Sequence, residues 1–103
     1  MDMAQRREFI RTELILGRTG MEKLRESTVA VFGIGGVGSH CAEALARSGV
    51  RRLILIDNDD VSVTNINRQC VAYQSTVGMN KTKVMEGNIR EICQDTQTMT
   101  FEM

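Results

Sequence analysis

Gly33, Gly35, Gly36 and Gly38 crowd into one short run, and a polar stretch downstream supplies Asp57, Asp59, Asn65, Arg68, Gln69 and Lys81. Glycines this dense bring bare backbone N–H groups up to an anion. Gly33 permits a tight turn, Gly35 lets the backbone approach a phosphate, and Gly38 lets a following helix pack close to the preceding strand. Asp57 lies where a carboxylate accepts hydrogen bonds from ribose hydroxyls. These features fit a dinucleotide and a nucleoside triphosphate alike. The cations separate the two, because a triphosphate under attack concentrates more charge than glycine-loop amides neutralise. A charge-assisted hydrogen bond contributes roughly 1.5–3 kcal/mol, against about 0.3–1 kcal/mol for a helix terminus, so Arg68 and Lys81 favour the triphosphate. By spacing alone, the same residues also fit a solvated loop with surface charges.

Such a cradle needs a strand, a turn and a helix in that order. Val29, Ala30, Val31 and Phe32 form a continuous apolar run, predicting a strand over 28–32, and Cys41, Ala42, Leu45 and Ala46 recur at helical spacing. That helix is expected to run to Ser48 and stop at Gly49. Leu53–Ile56 then gives a second buried strand ending at Asp57. Ser75 or Thr76 can cap a helix carrying Val84, Met85, Ile89, Ile92 and Cys93, and 98–103 alternates like a third strand. Ahead of all this, Phe9, Ile10, Leu14 and Ile15 predict an amphipathic helix interrupted over 17–20. Thr19 and Glu22 form a capping box for a short helix ending at Ser27. The fold class is α/β: N-terminal helices over 1–27, then over 28–103 a Rossmann-like β-α-β-α-β half of a doubly wound parallel sheet. An isolated half leaves strand edges and one side of the first strand uncovered, so a missing C-terminal half or a partner chain is expected.

Composition narrows the function classes. The 103 residues carry 13 Lys plus Arg and 13 Asp plus Glu, so no overall basic field advertises a polynucleotide. No apolar run approaches the roughly 18–20 residues of a membrane span, and the polar N-terminus lacks a secretory pattern, which predicts a cytoplasmic location. Cys41, Cys70 and Cys93 are odd in number, without a C-x-x-C pair and with a single His, so neither a disulfide framework nor a zinc site is supported. Cys41 and Cys93 are expected to be small buried hydrophobes. Cys70 is expected to be structural, with a reactive thiol as the alternative, and His40 a partly exposed helix residue without a catalytic role.

Taken together, the residues resemble the ThiF/MoeB/ubiquitin-activating superfamily of ATP-dependent adenylating enzymes, through most of the chain. In that family an N-terminal Arg, the glycine run, an Asp-x-Asp strand end, an Asn-x-x-Arg-Gln motif and a Lys after Val-Gly surround ATP. Here these are Arg11, Gly33 to Gly38, Asp57 with Asp59, Asn65 with Arg68 and Gln69, and Lys81 after Val77-Gly78. The wording of Phe32 to Ser39, Glu43 to Gly49 and Val63 to Gln69, with the start at Arg11 to Leu14, is most similar to one branch, the tRNA threonylcarbamoyladenosine dehydratases. The resemblance implies adenylation of a threonyl carboxylate beside a tRNA anticodon, followed by cyclisation with net loss of water. It implies ATP, tRNA as substrate, a homodimer and a sulfur-transfer protein as a further partner. Asp57 would take ribose, the glycine amides and Asn65 the phosphates or their loop geometry, and Arg68 and Lys81 the transition-state charge. Arg11 would reach into the partner's site, and Gln69 would order the loop.

Two departures accompany the resemblance. The family's magnesium-binding Asp follows a fourth strand and its substrate-facing loops lie further on, beyond these residues, so the chain alone is expected to bind nucleotide weakly or not at all and to be inactive. Asn80 stands where relatives often have Pro, which is expected to loosen the start of the following helix. The alternatives are an activator of a ubiquitin-like sulfur carrier, half of an NAD-dependent dehydrogenase, which has no use for Asn65, Arg68 and Lys81, and a non-catalytic interaction module.

Overall fold

Alternating apolar side chains in three short strands fix the centre of the molecule. The computed structural model describes residues 7–103. It contains α1 (Ile10–Glu26), β1 (Thr28–Phe32), α2 (Gly36–Ser48), β2 (Arg52–Ile56), α3 (Lys81–Ile92) and β3 (Gln97–Phe101). The three strands form one parallel sheet in the order β1-β2-β3. Val31, Leu53 and Leu55 pack with Ala42 and Ala46 of α2 and Val84, Met85 and Ile89 of α3. The expected Rossmann-like β-α-β-α-β order is therefore present, and all strands end on the same side as the glycine run. Gly49, left-handed at φ 103, ends α2 and sends the chain into β2.

Side chains alternate between sheet faces, so Ala30, Ile54 and Met99, and then Phe32, Ile56 and Phe101, line up on the side away from the core. That face stays open among the described residues: Phe32 is 78% and Met99 57% exposed. The expectation of a fully buried second strand holds for Leu53 and Leu55 only, because Ile54 and Ile56 lack a covering layer. Among the described residues β1 pairs with β2 alone and leaves its other edge open.

The N-terminal region departs from the sequence reading in detail. Gly17 (φ 76, ψ 170) breaks α1 into two helical pieces, a narrower interruption than 17–20. Leu14 and Ile15, expected on an apolar face, are 80% and 86% exposed, and only Phe9 reaches the interior, beside Met21 and Cys93. Glu22 accepts from Arg18 Nε at 3.3 Å instead of closing a box with Thr19. Cys93 is buried as expected; Cys41 is exposed.

The start of α3 is corrected too. Ser75 and Thr76 belong to a 3-10 turn, Gln74–Thr76, and the helix cap is Asn80, whose Oδ1 accepts from Thr82 N at 2.9 Å. A bridge between Asp60 and Asn80 ties that cap to the segment after β2. Asn80 thus supplies by hydrogen bonding what a proline supplies by ring geometry, and the start of the helix is fixed rather than loosened.

Gly38 is the most tightly enclosed of the glycines, since a Cβ built there falls on the Gly33 carbonyl oxygen. Backbone cannot swing aside as a side chain can. Gly38→Ala should therefore lower stability by about 3 kcal/mol or more. Gly87→Ala, in α3 with open space around it, should raise it by about 0.5–1 kcal/mol. Chemical denaturation of both variants checks this; equal stabilities would contradict the packing described.

Candidate functional site

The glycine run lies at the carboxyl end of the sheet, where a doubly wound fold leaves a crevice for ligands. Gly33 N donates to Ile56 O at 2.8 Å, carrying the strand ladder up to the turn, and Gly33 makes that turn at φ 89. α2 begins with Gly35 as its cap residue, without a side-chain cap and without an acidic residue in the first turn. Its opening N–H groups, and the positive end of the helix dipole, are therefore not neutralised by the chain itself. An anion fits that end of the helix.

Other loops close in on this point. Asp57 Oδ2 accepts from Ile34 N at 2.6 Å and Oδ1 from Asp59 N at 2.7 Å, so one carboxylate joins the end of β2 to the glycine turn. Both oxygens keep lone pairs for a further donor. Lys81 N donates to Asp59 O at 3.1 Å, which seats the start of α3 beside the Asp-x-Asp segment. Lys81 itself is only 6% exposed. From the opposite side, the stem of Arg68 lies over Gly36, 3.6 Å from where a Cβ would stand, and Nε2 of buried Gln69 lies 3.9 Å from the same point on Gly35. The Gln69 Oε1 is buried without a hydrogen-bond partner among the described residues. Asn65 Oδ1 accepts from Ser62 N at 2.8 Å and closes the 3-10 turn Val63–Asn65, so this oxygen serves loop geometry.

The structure thus gathers the glycines, Asp57, Arg68 and Gln69 around the start of α2, with the Asp59 backbone joined to Asp57 and the start of α3, at Lys81, joined in turn to Asp59. Arg11 is on the exposed part of α1, lining a surface hollow with Arg7, Glu8, Ile10 and Leu14. It makes no hydrogen bond or ion pair with these residues in the described chain.

Sequence reasoning missed a contact set beneath Arg68. His40 Nε2 lies 3.0 Å from the Arg68 carbonyl oxygen, His40 Nδ1 lies 2.9 Å from Cys70 Sγ, and Cys70 N donates to Ser39 Oγ at 3.1 Å. Two of the three contacts involve a backbone atom, which leaves no trace in residue types. Burial pushes the Cys70 thiol above its ordinary value, and hydrogen bonding to the Glu43 carboxylate adds to the rise. The same thiol, and then Arg47, hold Glu43 below the usual carboxylate range. Cys70 and Glu43 also line a groove of about 490 Å³ between α2, α3 and the N-terminal turn, with Glu8, Arg47, Tyr73 and Glu91. That groove does not include the glycine loop.

Comparison with known proteins identifies the family of the chain. A model of the ThiF family matches residues 7–103. The chain is 51% identical over 96 residues to the tRNA threonylcarbamoyladenosine dehydratase of Bacillus subtilis, covering 93% of this chain and 38% of the relative. It is 44% identical over 82 residues to the ubiquitin-like modifier-activating enzyme 5 of Arabidopsis thaliana, covering 80% of this chain and 19% of the relative. Among solved structures, the Escherichia coli dehydratase TcdA in complex with ATP superposes with a TM-score of 0.95 at 40% identity, covering 99% of this chain and 42% of that one. The chain spans about two fifths of the length of these two dehydratases.

Asp57→Ala leaves the Ile34 and Asp59 N–H groups without their acceptor, so stability should fall by about 1–3 kcal/mol and ATP should bind more weakly. Denaturation and calorimetry on the full-length protein check both, and an unchanged pair of values would remove Asp57 from the site. For the thiols, a raised Cys70 value means less thiolate at any given pH, so its alkylation by iodoacetamide should lag that of exposed Cys41 at about pH 8 and rise only at higher pH. Peptide mass spectrometry over a pH series reads the order; Cys70 reacting first would contradict it.

Proposed function

The chain belongs to the ThiF family, and from that premise we propose that it is the nucleotide-binding part of an ATP-dependent tRNA threonylcarbamoyladenosine dehydratase. One observation carries the reading. The uncapped start of α2 meets Asp57 on one side and the Arg68 stem on the other, which is an arrangement for ribose and a charged phosphate chain on one short surface. An NAD-dependent dehydrogenase would use the glycines and Asp57 but leave Arg68 and Lys81 without a role.

ATP at such a site supplies the leaving group: a carboxylate adenylated by it accepts attack from a neighbouring nucleophile as AMP departs. The residues of this chain bind and orient. Amides at the start of α2 take phosphate oxygens, Asp57 accepts from ribose hydroxyls, and Asp59 keeps the start of α3 in place through its carbonyl. The Arg68 stem crosses Gly36, and its guanidinium, which donates to Thr64 O and Asn67 Oδ1 in the structure, turns to the charge that develops on the phosphates. Lys81, sparingly exposed, acts where electrostatic forces are less screened than in bulk water. Gln69 orders the loop beside Gly35, and Arg11 completes the site from the partner of a homodimer. Among the described residues no group of three or more His, Cys, Asp or Glu side chains could hold a metal ion, so they form no cage for the magnesium that the resemblance implies.

The substrate is a tRNA nucleoside, the location cytoplasmic, and a sulfur-transfer protein a further partner. No described helix is long and apolar enough to cross a membrane. Activation of a ubiquitin-like sulfur carrier is the second reading, because the ubiquitin-like activating enzymes share this same region; the higher identity to the Bacillus subtilis dehydratase favours the first.

Arg68→Ala in the full-length protein should lower ATP-dependent turnover at least about 100-fold, on the order of what loss of one transition-state donor costs, with stability changed by less than about 0.5 kcal/mol. Mass spectrometry of tRNA nucleosides from a deletion strain tests substrate and residue together. The wild-type gene should restore the cyclic modification and Arg68→Ala should not. A deletion strain that keeps the cyclic nucleoside would reject the dehydratase reading.

A further inference from the structure

Arg68 stands on an exposed loop, and its side chain is tied to its own neighbours: Nη1 donates to Thr64 O at 3.2 Å and to Asn67 Oδ1 at 3.0 Å. Those bonds shape the side chain but do not fix the loop against α2. The loop is fixed from the helix. Ser39 and His40, at the start of α2, take Cys70 N and the Arg68 carbonyl oxygen. The helix that offers its N–H groups to an anion therefore also pins the backbone of the residue poised above it.

We propose that His40 is a positioning residue for the nucleotide site, holding Arg68 over Gly36 through the Nε2–H bond to the Arg68 carbonyl. The proposal rests on the assignment of Arg68 to the phosphates of ATP. Its logic is geometric. A carbonyl oxygen only accepts, so Nε2 carries the proton that it donates to the Arg68 carbonyl. His40 is exposed, which means its removal opens no cavity in the core, and its effect is confined to where the loop stands.

Calorimetric titration of the full-length protein with ATP tests this, using His40→Gln and His40→Met, two unbranched helix-forming replacements of which only Gln has a donor at the reach of Nε2. His40→Gln should bind ATP within about two-fold of the wild type, and His40→Met about five-fold more weakly, the loss that one neutral hydrogen bond accounts for. Combining His40→Met with Arg68→Ala should weaken binding no further than Arg68→Ala does, because the clamp acts only through Arg68. Equal affinity of the Gln and Met variants, or additive losses in the double variant, would overturn the role of His40 while leaving that of Arg68 intact. An Arg68→Ala protein that binds ATP like the wild type would instead overturn the assignment of Arg68, and the role of His40 with it.

Discussion

Everything at the carboxyl end of the sheet depends on one backbone-to-backbone contact, the approach of Gly38 to the Gly33 carbonyl oxygen. No side chain fits there, so α2 starts directly against the strand it follows. Its N-terminus is thereby placed within reach of loops that come from far apart in the chain. Asp57 grips the turn at Ile34, Arg68 and Gln69 lie over Gly36 and Gly35, and Ser39 and His40 hold the segment that carries Arg68. Were the helix to start one side-chain diameter further out, each of these contacts would open at once.

The electrostatics follow from the same constraint. A helix start without a side-chain cap and without an acidic residue in its own first turn is a region of positive potential; the Arg68 stem lies over it, and the Asp57 carboxylate meets it at Ile34. Arg68 is exposed and Lys81 is almost buried, so the two cations differ in screening and in reach. Asp57 and Asp59 are the balancing charges, but the Asp57 oxygens already serve the turn, which makes the carboxylate a scaffold before it is a ligand contact. Such preorganisation is what a site needs if charge is to be met without rearrangement.

Much of this is legible in the sequence, and the parts that are not have physical reasons. β1 and the end of α2 can be read to within a residue because a continuous apolar run, a glycine turn and a helical apolar spacing are local signals. The cap of α3 escapes such reading because Ser75 and Thr76 offer a local cap signal like that of Asn80, and the tie of Asn80 to Asp60 is tertiary. Ile54, Ile56, Leu14 and Ile15 look like core residues by type, yet burial depends on a covering layer that the described residues do not supply. The site residues near the turn are visible as residue types at family spacing. His40 is not, since half of its role is a bond to a backbone carbonyl 28 residues away, between positions that share no motif.

On the proposed reading, the glycine turn and its surrounding charges cradle a nucleoside triphosphate in preference to a dinucleotide. The most direct measurement of that preference is a pair of calorimetric titrations of the full-length protein, one with ATP and one with NAD, at matched ionic strength. ATP should bind saturably and NAD should show no saturable binding in the same range. Saturable binding of NAD with affinity equal to or greater than that of ATP would contradict the account.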